Sequence, residues 1–410
     1  MIKRTIYSKI IESIENKPIT LIIGARQVGK TTLCKQLVKD KKYNYVSLDN
    51  ILERKTALED PKLFLQMHPY PLIIDEVQYA PSLFDVLEEI VNDVKFKNKN
   101  NNGMYVLTGS QSYNLMEGVS QTLSGRVSII NVSPLSVSEI YKKEEMPFSV
   151  DIVNNTKHSK RYSIDIKELF ELIVKGMYPE LYDNESLDYN SFYSDYVSTY
   201  IERDVSQIIN ITDKLRFQNF LELLASLTGE ELVYENIAKN IGVSAVTIKK
   251  WTSVLVTGEI ITLLEPYNEL SITKRIVKRP KVIFNDTGLA CYLARLNNAE
   301  VLSKSRFSGQ FVETFIINEI IKTYKNNRIN ANFYYYRDNN QNEIDLIIQN
   351  EGRLQLIECK SGTNYNNSDV SSFKCLSKSK YLINQNAIIC NTDTPYKISD
   401  NCFVLPISSI

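Results

Sequence analysis

The sequence predicts an α/β chain that begins with a parallel, doubly wound sheet. Three observations predict it. An apolar run, Ile19 to Ile23, ends in Gly24 and leads into Gly24-x-x-x-x-Gly29-Lys30-Thr31. A second apolar run, from Pro71, ends in Asp75-Glu76. Strand-like runs then alternate with stretches of helical period as far as Pro134, a pattern that folds into parallel strands with helices on both faces. Ligands of such sheets sit at the carboxyl ends of the strands.

The first run carries the phosphate-loop pattern. A buried strand delivers the chain to a tight turn, and Gly29 lets backbone N–H groups approach phosphate oxygens that a Cβ would keep away. The following helix aims its unpaired N–H groups and positive dipole end at the same anion. Gly24, Gln27, Val28, Gly29, Lys30, Thr31 and Thr32 are the candidate nucleotide ligands. Lys30 would reach the β- and γ-phosphates, and the Thr31 hydroxyl would ligate Mg²⁺.

The neighbouring elements follow in order. Ile6, Ile10, Ile11 and Ile14 have helical spacing and precede the first strand. Tyr43 to Asp49 reads as a second strand, and residues 51–68 as one or two helices broken at Pro61. Asp75 would hold the Mg²⁺ shell and Glu76 would polarise the attacking water. Met104 to Gln111 is a further strand ending in small polar residues, and Ser110 or Thr108 is the candidate contact to the γ-phosphate or the water. Residues 97–103 read as an exposed loop, and Val127 to Val132 as a fifth strand closed by Pro134.

These stretches carry a specific likeness. Gly24 to Thr32, Asp75-Glu76-Val-Gln-Tyr-Ala-Pro, Leu107-Thr-Gly-Ser-Gln, Ser124-Gly-Arg and Pro134-Leu-Ser resemble the AAA-type ATPases of bacteria and archaea that carry a C-terminal domain of unknown function. The resemblance extends over nearly all of the chain and implies ATP as the nucleotide. The absence of an Asn-Lys-x-Asp guanine motif agrees with it. Tyr196 to Val205 resembles the family's Tyr-x-Glu-Arg-Asp helix. Arg203 is one candidate arginine finger, for its own or a neighbour's γ-phosphate, and Arg126 competes for that role. The alternative for Arg203 is an ion pair with Glu202 or Asp204. A finger acting in trans would imply a homo-oligomer.

Four regions result: an AAA-type ATPase domain (1–150), a helical linker region (151–215), a winged helix-turn-helix (216–298) and a final α/β domain (299–410). In the third, Tyr234 to Trp251 has the form of a helix-turn-helix. Ile237, Ala238 and Ile241 would face the core, Gly242 would cap the first helix and Ser244 the second. Ile260 to Leu264 and Lys281 to Phe284 read as wing strands. Lys249, Lys250, Lys278 and Arg279 are the candidate contacts to DNA phosphates, with Lys274 and Arg275 beside them. The alternative is a winged helix used for protein packing, and Trp251 reads as core.

In the last region Asn342-Glu343-Ile-Asp345 opens one strand, and Leu354 to Cys359 forms the next and leads to Lys360. Glu358 and Lys360 are two apart, so both face one side of the sheet while Cys359 faces the other. An Asp on one strand with Glu-x-Lys on the next is the pattern of restriction-endonuclease-like folds, to which the family's C-terminal domain, likened to PD-(D/E)XK nucleases, is similar. That reading makes Asp345 and Glu358 ligands of Mg²⁺, with Glu313 or Glu319 completing the set from a helix and the family-like Phe-x-Glu favouring Glu313. Lys360 would orient water or stabilise developing charge. The alternative is an ATP-dependent switch or scaffold acting on protein partners, its nuclease-like domain non-cleaving.

Composition sets the outer bounds. The chain has 410 residues, enough for two or three domains, with 43% apolar and 23% charged residues. Formal net charge is zero, so any nucleic-acid surface must be a local patch. Six cysteines without a C-x-x-C pair, and two histidines in all, argue against zinc and for buried thiols in a reducing cytoplasm. No run approaches the ~18 apolar residues of a membrane span, and the amino terminus lacks a signal-type apolar core.

Overall fold

The computed structural model describes residues 2–97, 100–109, 113–151, 162–200, 214–269, 279–383 and 385–410. The chain forms two compact units. One comprises residues 3–135 with 257–259, the other residues 1–2, 136–256 and 260–410.

The first unit is built on five strands: β1 (Ile19–Ile23), β2 (Asn44–Ser47), β3 (Leu72–Asp75), β4 (Tyr105–Thr108) and β5 (Val127–Asn131). Their order is β2-β3-β4-β1-β5, all pairs parallel. The three inner strands are buried throughout, as expected for strands covered on both faces. One face packs Leu21, Ile74 and Leu107 against Phe64, Phe84, Leu87 and Val91. The helices expected over 51–68 divide at Pro61: Asp60 accepts from the Leu63 N–H and Pro61 takes the first turn of the second helix. The order sets β4 between the strand that ends in the phosphate-loop pattern and the strand that ends in Asp75.

The second unit holds helices and a nine-stranded sheet. Its strands are β6 (Ile261–Pro266), β7 (Lys281–Phe284), β8 (Asn332–Arg337), β9 (Glu343–Asn350), β10 (Arg353–Cys359), β11 (Leu382–Ile383), β12 (Asn386–Cys390), β13 (Tyr396–Ser399) and β14 (Cys402–Pro406). They run β13-β14-β12-β10-β9-β8-β6-β7, with β11 on β10. The expected wing strands β6 and β7 pair antiparallel, but β6 also pairs parallel with β8 through Glu265 opposite Tyr334. The anticipated boundary near residue 298 therefore falls inside one sheet.

Helix Ser308–Asn326 is buried along most of its length and lies on β7 and β10. Polar residues of its carboxyl-terminal half are tied to the segment after residue 135. Glu319 accepts from the Val137 N–H at 2.8 Å and from Lys322, Thr323 accepts from the Phe148 N–H at 2.9 Å, and the Tyr324 hydroxyl donates to the Phe148 carbonyl at 2.8 Å. Asn326 Nδ2 donates to Glu145 Oε2 at 3.3 Å.

Glu145 Oε1 and Asn326 Oδ1 are buried without a hydrogen-bond partner. Burial first, and Glu139 second, push the Glu145 carboxyl up to about 8. Between its ordinary value and about 8 the folded chain holds a proton that the unfolded chain releases, so stability falls as pH rises through that window. Glu145→Gln should therefore raise the Tm at about pH 8.5 and leave it unchanged near about pH 4.5. Equal melting curves at the higher pH would remove this account.

Candidate functional site

At the end of β1, Gly24 has φ +150°, and a Cβ there would lie 2.3 Å from the Val132 carbonyl oxygen. Only glycine fits that approach. Gly29 is left-handed, with φ 95°, immediately before helix Lys30–Lys41. The first N–H groups of a helix have no partner within it. Lys30 is buried and folds back over the loop, its Nζ donating to the Gly24 and Ala25 carbonyls at 2.9 and 2.8 Å. Burial lowers its pKa, against the fields of Glu76 and Asp75.

Asp75 is the hub of the pocket. Thr31 donates to its Oδ2 at 3.0 Å, the Tyr45 hydroxyl donates to the same oxygen at 2.6 Å, and Thr108 donates to Oδ1. Thr108 in turn accepts from the Glu76 N–H at 3.3 Å. Glu76 stands in the left-handed region, φ 59° and ψ 43°, an uncommon conformation for a residue with a Cβ. Its Oε2 accepts from Gln78 Nε2. Burial raises its pKa, while Gln78 and Lys30 oppose the rise. Of the two candidates at the end of β4, Thr108 joins Asp75; Ser110 lies outside the described residues. Tyr45 was not among the sequence candidates. Its signal was faint: a tyrosine on β2, on the same side as Ser47, which pairs with Asp75.

The second charged cluster lies in the other unit. Antiparallel pairing of β9 with β10 sets Ile357 opposite Leu346, so Asp345 comes beside Glu358 and Cys359. The Cys359 N–H donates to Asp345 Oδ2 at 2.8 Å, and Lys360 Nζ donates to Glu358 Oε1 at 2.6 Å. The unforeseen member is Lys281, the first residue of β7. It is 2% exposed, and its Nζ meets Glu313 Oε1 at 2.8 Å and Glu343 Oε1 at 2.6 Å. Burial opposes its charge, but Glu313, Asp345 and Glu343 outweigh that and push its pKa up. Burial and then the Asp345 charge push Glu313 and Glu358 up to about 8.

This arrangement corrects the expected metal set. Among the described residues no three His, Cys, Asp or Glu groups are arranged to hold a metal ion. Glu313 is turned to the Lys281 ammonium, one Glu358 oxygen to Lys360, and one Asp345 oxygen to a backbone N–H. The carboxylates are thus spent on the protein's own donors, and the set does not fit Mg²⁺ as it stands. Glu319, the other helix candidate, pairs with Lys322 instead.

Residues 16–141 match the family described as an AAA domain, and they span the phosphate loop, Asp75-Glu76 and Thr108. These residues are thus similar to an AAA domain. Residues 166–300 and 308–410 match two domains of unknown function, DUF8612 and DUF4143. The uncharacterized proteins Rv2008c of Mycobacterium tuberculosis and Mb2031c of Mycobacterium bovis are each 24% identical over 359 residues, covering 87% of this chain and 74% of their own. Among solved structures, the Walker-type ATPase of Pyrococcus abyssi is 13% identical, covers 70% of this chain and 94% of that one, with a TM-score of 0.40. Thermotoga maritima RuvB is 16% identical, covers 64% and 90%, with a TM-score of 0.33.

Within the AAA domain, Arg126 does not reach the Asp75 pocket. It precedes β5, whose first residue Val127 pairs with Ile19 at the amino end of β1, the opposite end of the sheet from the loop. Its guanidinium is held by Asn92 Oδ1 at 2.8 Å, the Ser124 carbonyl at 3.1 Å and Glu88 at 3.0 Å. In its own chain Arg126 thus tethers helix Leu83–Phe96, away from the loop. Arg203 lies outside the described residues, as do Lys274, Arg275 and Lys278.

The DUF8612 region contains helices Tyr234–Ile241 and Ala245–Thr257, with Gly242 left-handed between them and Ser244 accepting from the Thr247 N–H at 3.1 Å. Trp251 is buried against Phe217 and Phe220, ring centroids 5.3 and 5.4 Å away. Lys249 and Lys250 are exposed on the second helix, and Lys249 Nζ lies 5.5 Å over the Tyr234 ring. Arg279 is exposed, its carbonyl accepting from the Tyr335 hydroxyl. Among the described residues no helix is long and apolar enough to cross a membrane.

Proposed function

We propose that the chain binds ATP at Gly24–Thr32 and hydrolyses it. The observation that carries this reading is the pocket around Asp75, where Thr31 after β1 and Thr108 at the end of β4 meet Asp75 at the end of β3, three adjacent strands, with Lys30 folded over the loop. Lys30, already held between loop carbonyls, would exchange them for phosphate oxygens. Thr31 and Asp75 would hold Mg²⁺, which supplies charge neutralisation for the phosphates when bound. Glu76 would accept a hydrogen bond from the attacking water. Arg203 remains the candidate finger, in its own chain or across a homo-oligomer.

Lys249, Lys250, Lys278 and Arg279 would contact DNA phosphates from a winged helix. The restriction-endonuclease-like reading of residues 299–410 takes its non-cleaving form, and Lys281 among the carboxylates is the observation that favours it. In that form Lys360 serves as a counter-ion to Glu358. The test combines three measurements. ATP turnover should be lost in Lys30→Ala. Duplex binding should weaken steeply between about 50 and 200 mM salt and fall in Lys249→Ala/Lys250→Ala. Supercoiled plasmid should stay intact with Mg²⁺ and ATP. Turnover unchanged in Lys30→Ala would overturn the ATPase reading, absence of duplex binding at low salt the DNA reading, and cleavage lost in Lys360→Ala the non-cleaving one.

A further inference from the structure

We propose that Tyr45 is the positioning residue of the Asp75 carboxylate, holding it oriented for the divalent ion that accompanies the nucleotide. The inference rests on the reading of Gly24–Thr32 as an ATP site. Tyr45 and Ser47 are two apart on β2 and face one side of that strand, and Ser47 pairs with Asp75 at the end of β3. The phenol therefore reaches along the strand pair to the carboxylate. Its hydroxyl donates to Asp75 Oδ2 at 2.6 Å, within the range of hydrogen bonds strengthened by a carboxylate acceptor, whereas Thr31 donates to the same oxygen at 3.0 Å. With Thr108 on Oδ1, three of the roughly four acceptor places of the carboxylate are filled.

Two observations separate this contact from an incidental one. Tyr45 is 36% exposed on the edge strand of its sheet, so water could satisfy its hydroxyl, yet the hydroxyl is turned to Asp75. The two donors on Oδ2 also differ in their freedom. Tyr45 springs from a strand paired with β3, while Thr31 lies in the first turn of helix Lys30–Lys41, beside the phosphate loop. The Thr31 oxygen can turn to an ion while Tyr45 and Thr108 keep the carboxylate oriented, one on each of its oxygens. Hydroxyl and carboxylate oxygens are the ligands a hard ion such as Mg²⁺ takes, so Thr31 and Asp75 fit it. Tyr45 itself would touch neither ion nor phosphate and acts through Asp75. Groups that orient a metal's ligands typically govern its affinity by about 10–100-fold.

The test uses the full chain, stripped of metal and nucleotide, with a non-hydrolysable fluorescent ATP analogue and with Mn²⁺ followed by electron paramagnetic resonance. Tyr45→Phe keeps the ring and removes only the hydroxyl. In this variant Mn²⁺ bound beside the analogue should be held at least about tenfold more weakly than in wild type. Affinity for the analogue in EDTA should stay as in wild type. Phosphate release at saturating Mg²⁺ should also match, so the loss falls on the metal requirement and not on the limiting rate. Equal Mn²⁺ affinity in the two proteins would overturn the proposal. So would a parallel loss of analogue affinity in EDTA, which would make Tyr45 a support of the loop alone. A wild type that binds no analogue would overturn the ATP-site reading and this inference with it, an outcome visible before any variant is made.

Discussion

The Glu76→Gln variant should keep its affinity for ATP while turnover falls by about 10²–10⁴-fold, the range for removal of a positioned general base or water-orienting group. The exchange is nearly isosteric and the amide oxygen can still accept from Gln78. The left-handed backbone at position 76 is set by the turn after β3 and does not depend on the charge. Lys30, Thr31 and Asp75 are untouched, so ground-state binding should survive. A fluorescent ATP analogue titrated against the variant gives the affinity, and phosphate release gives the rate. Turnover within about threefold of wild type would remove Glu76 from the chemistry.

Gly24→Ala should cost about 2–4 kcal/mol of stability in the AAA domain, from positive φ and overpacking together. The new Cβ would sit 2.3 Å from the backbone oxygen of Val132. That oxygen belongs to the chain leaving β5 and cannot rotate away as a side chain would. Val132 is also bonded to the loop strand, its N–H donating to the Ile23 carbonyl at 2.8 Å. Relief therefore requires β1 and β5 to part at the end that shapes the loop. Loss of nucleotide binding should accompany the lower Tm. A Gly24→Ala protein that melts like wild type would show that the loop has another accessible conformation. Gly125→Ala is the matched control, because its φ of +77° is also positive but no atom stands within 4 Å. It should show the backbone part of the cost alone.

What was legible in the sequence was what is local. The loop is contiguous, Asp75 and Glu76 are adjacent, and each ends a strand whose apolar run announces it. The strand carrying Thr108 could be anticipated between the two sites because alternation of strands and helices limits the sheet order. Tyr45 was missed because its hydroxyl reaches Asp75 across a strand pair, which no spacing encodes. Lys281 was missed for a stronger reason. In sequence it follows Arg279-Pro280 and reads as one more basic residue of a wing. Only β6 pairing with β8 brings β7 to helix Ser308–Asn326 and Glu343. That Arg126 stands away from its own chain's pocket was not legible, because Ser124-Gly-Arg gives the residue type without saying which end of β5 it occupies.

The sheet shared by β6, β7 and β8 also bears on how this molecule could be divided. The two C-terminal family matches meet between residues 300 and 308, as though two modules had been joined there. A fragment that begins at residue 308 would leave behind both strands beyond β8 and the only lysine that faces Glu313 among the described ion pairs. Its open edge would present Asn332–Arg337 to any passing strand, and its acids would lose their counter-ion in the same cut. The inherited unit and the separable unit are different lengths of chain, and the practical amino-terminal limit of the C-terminal fold lies upstream of β6.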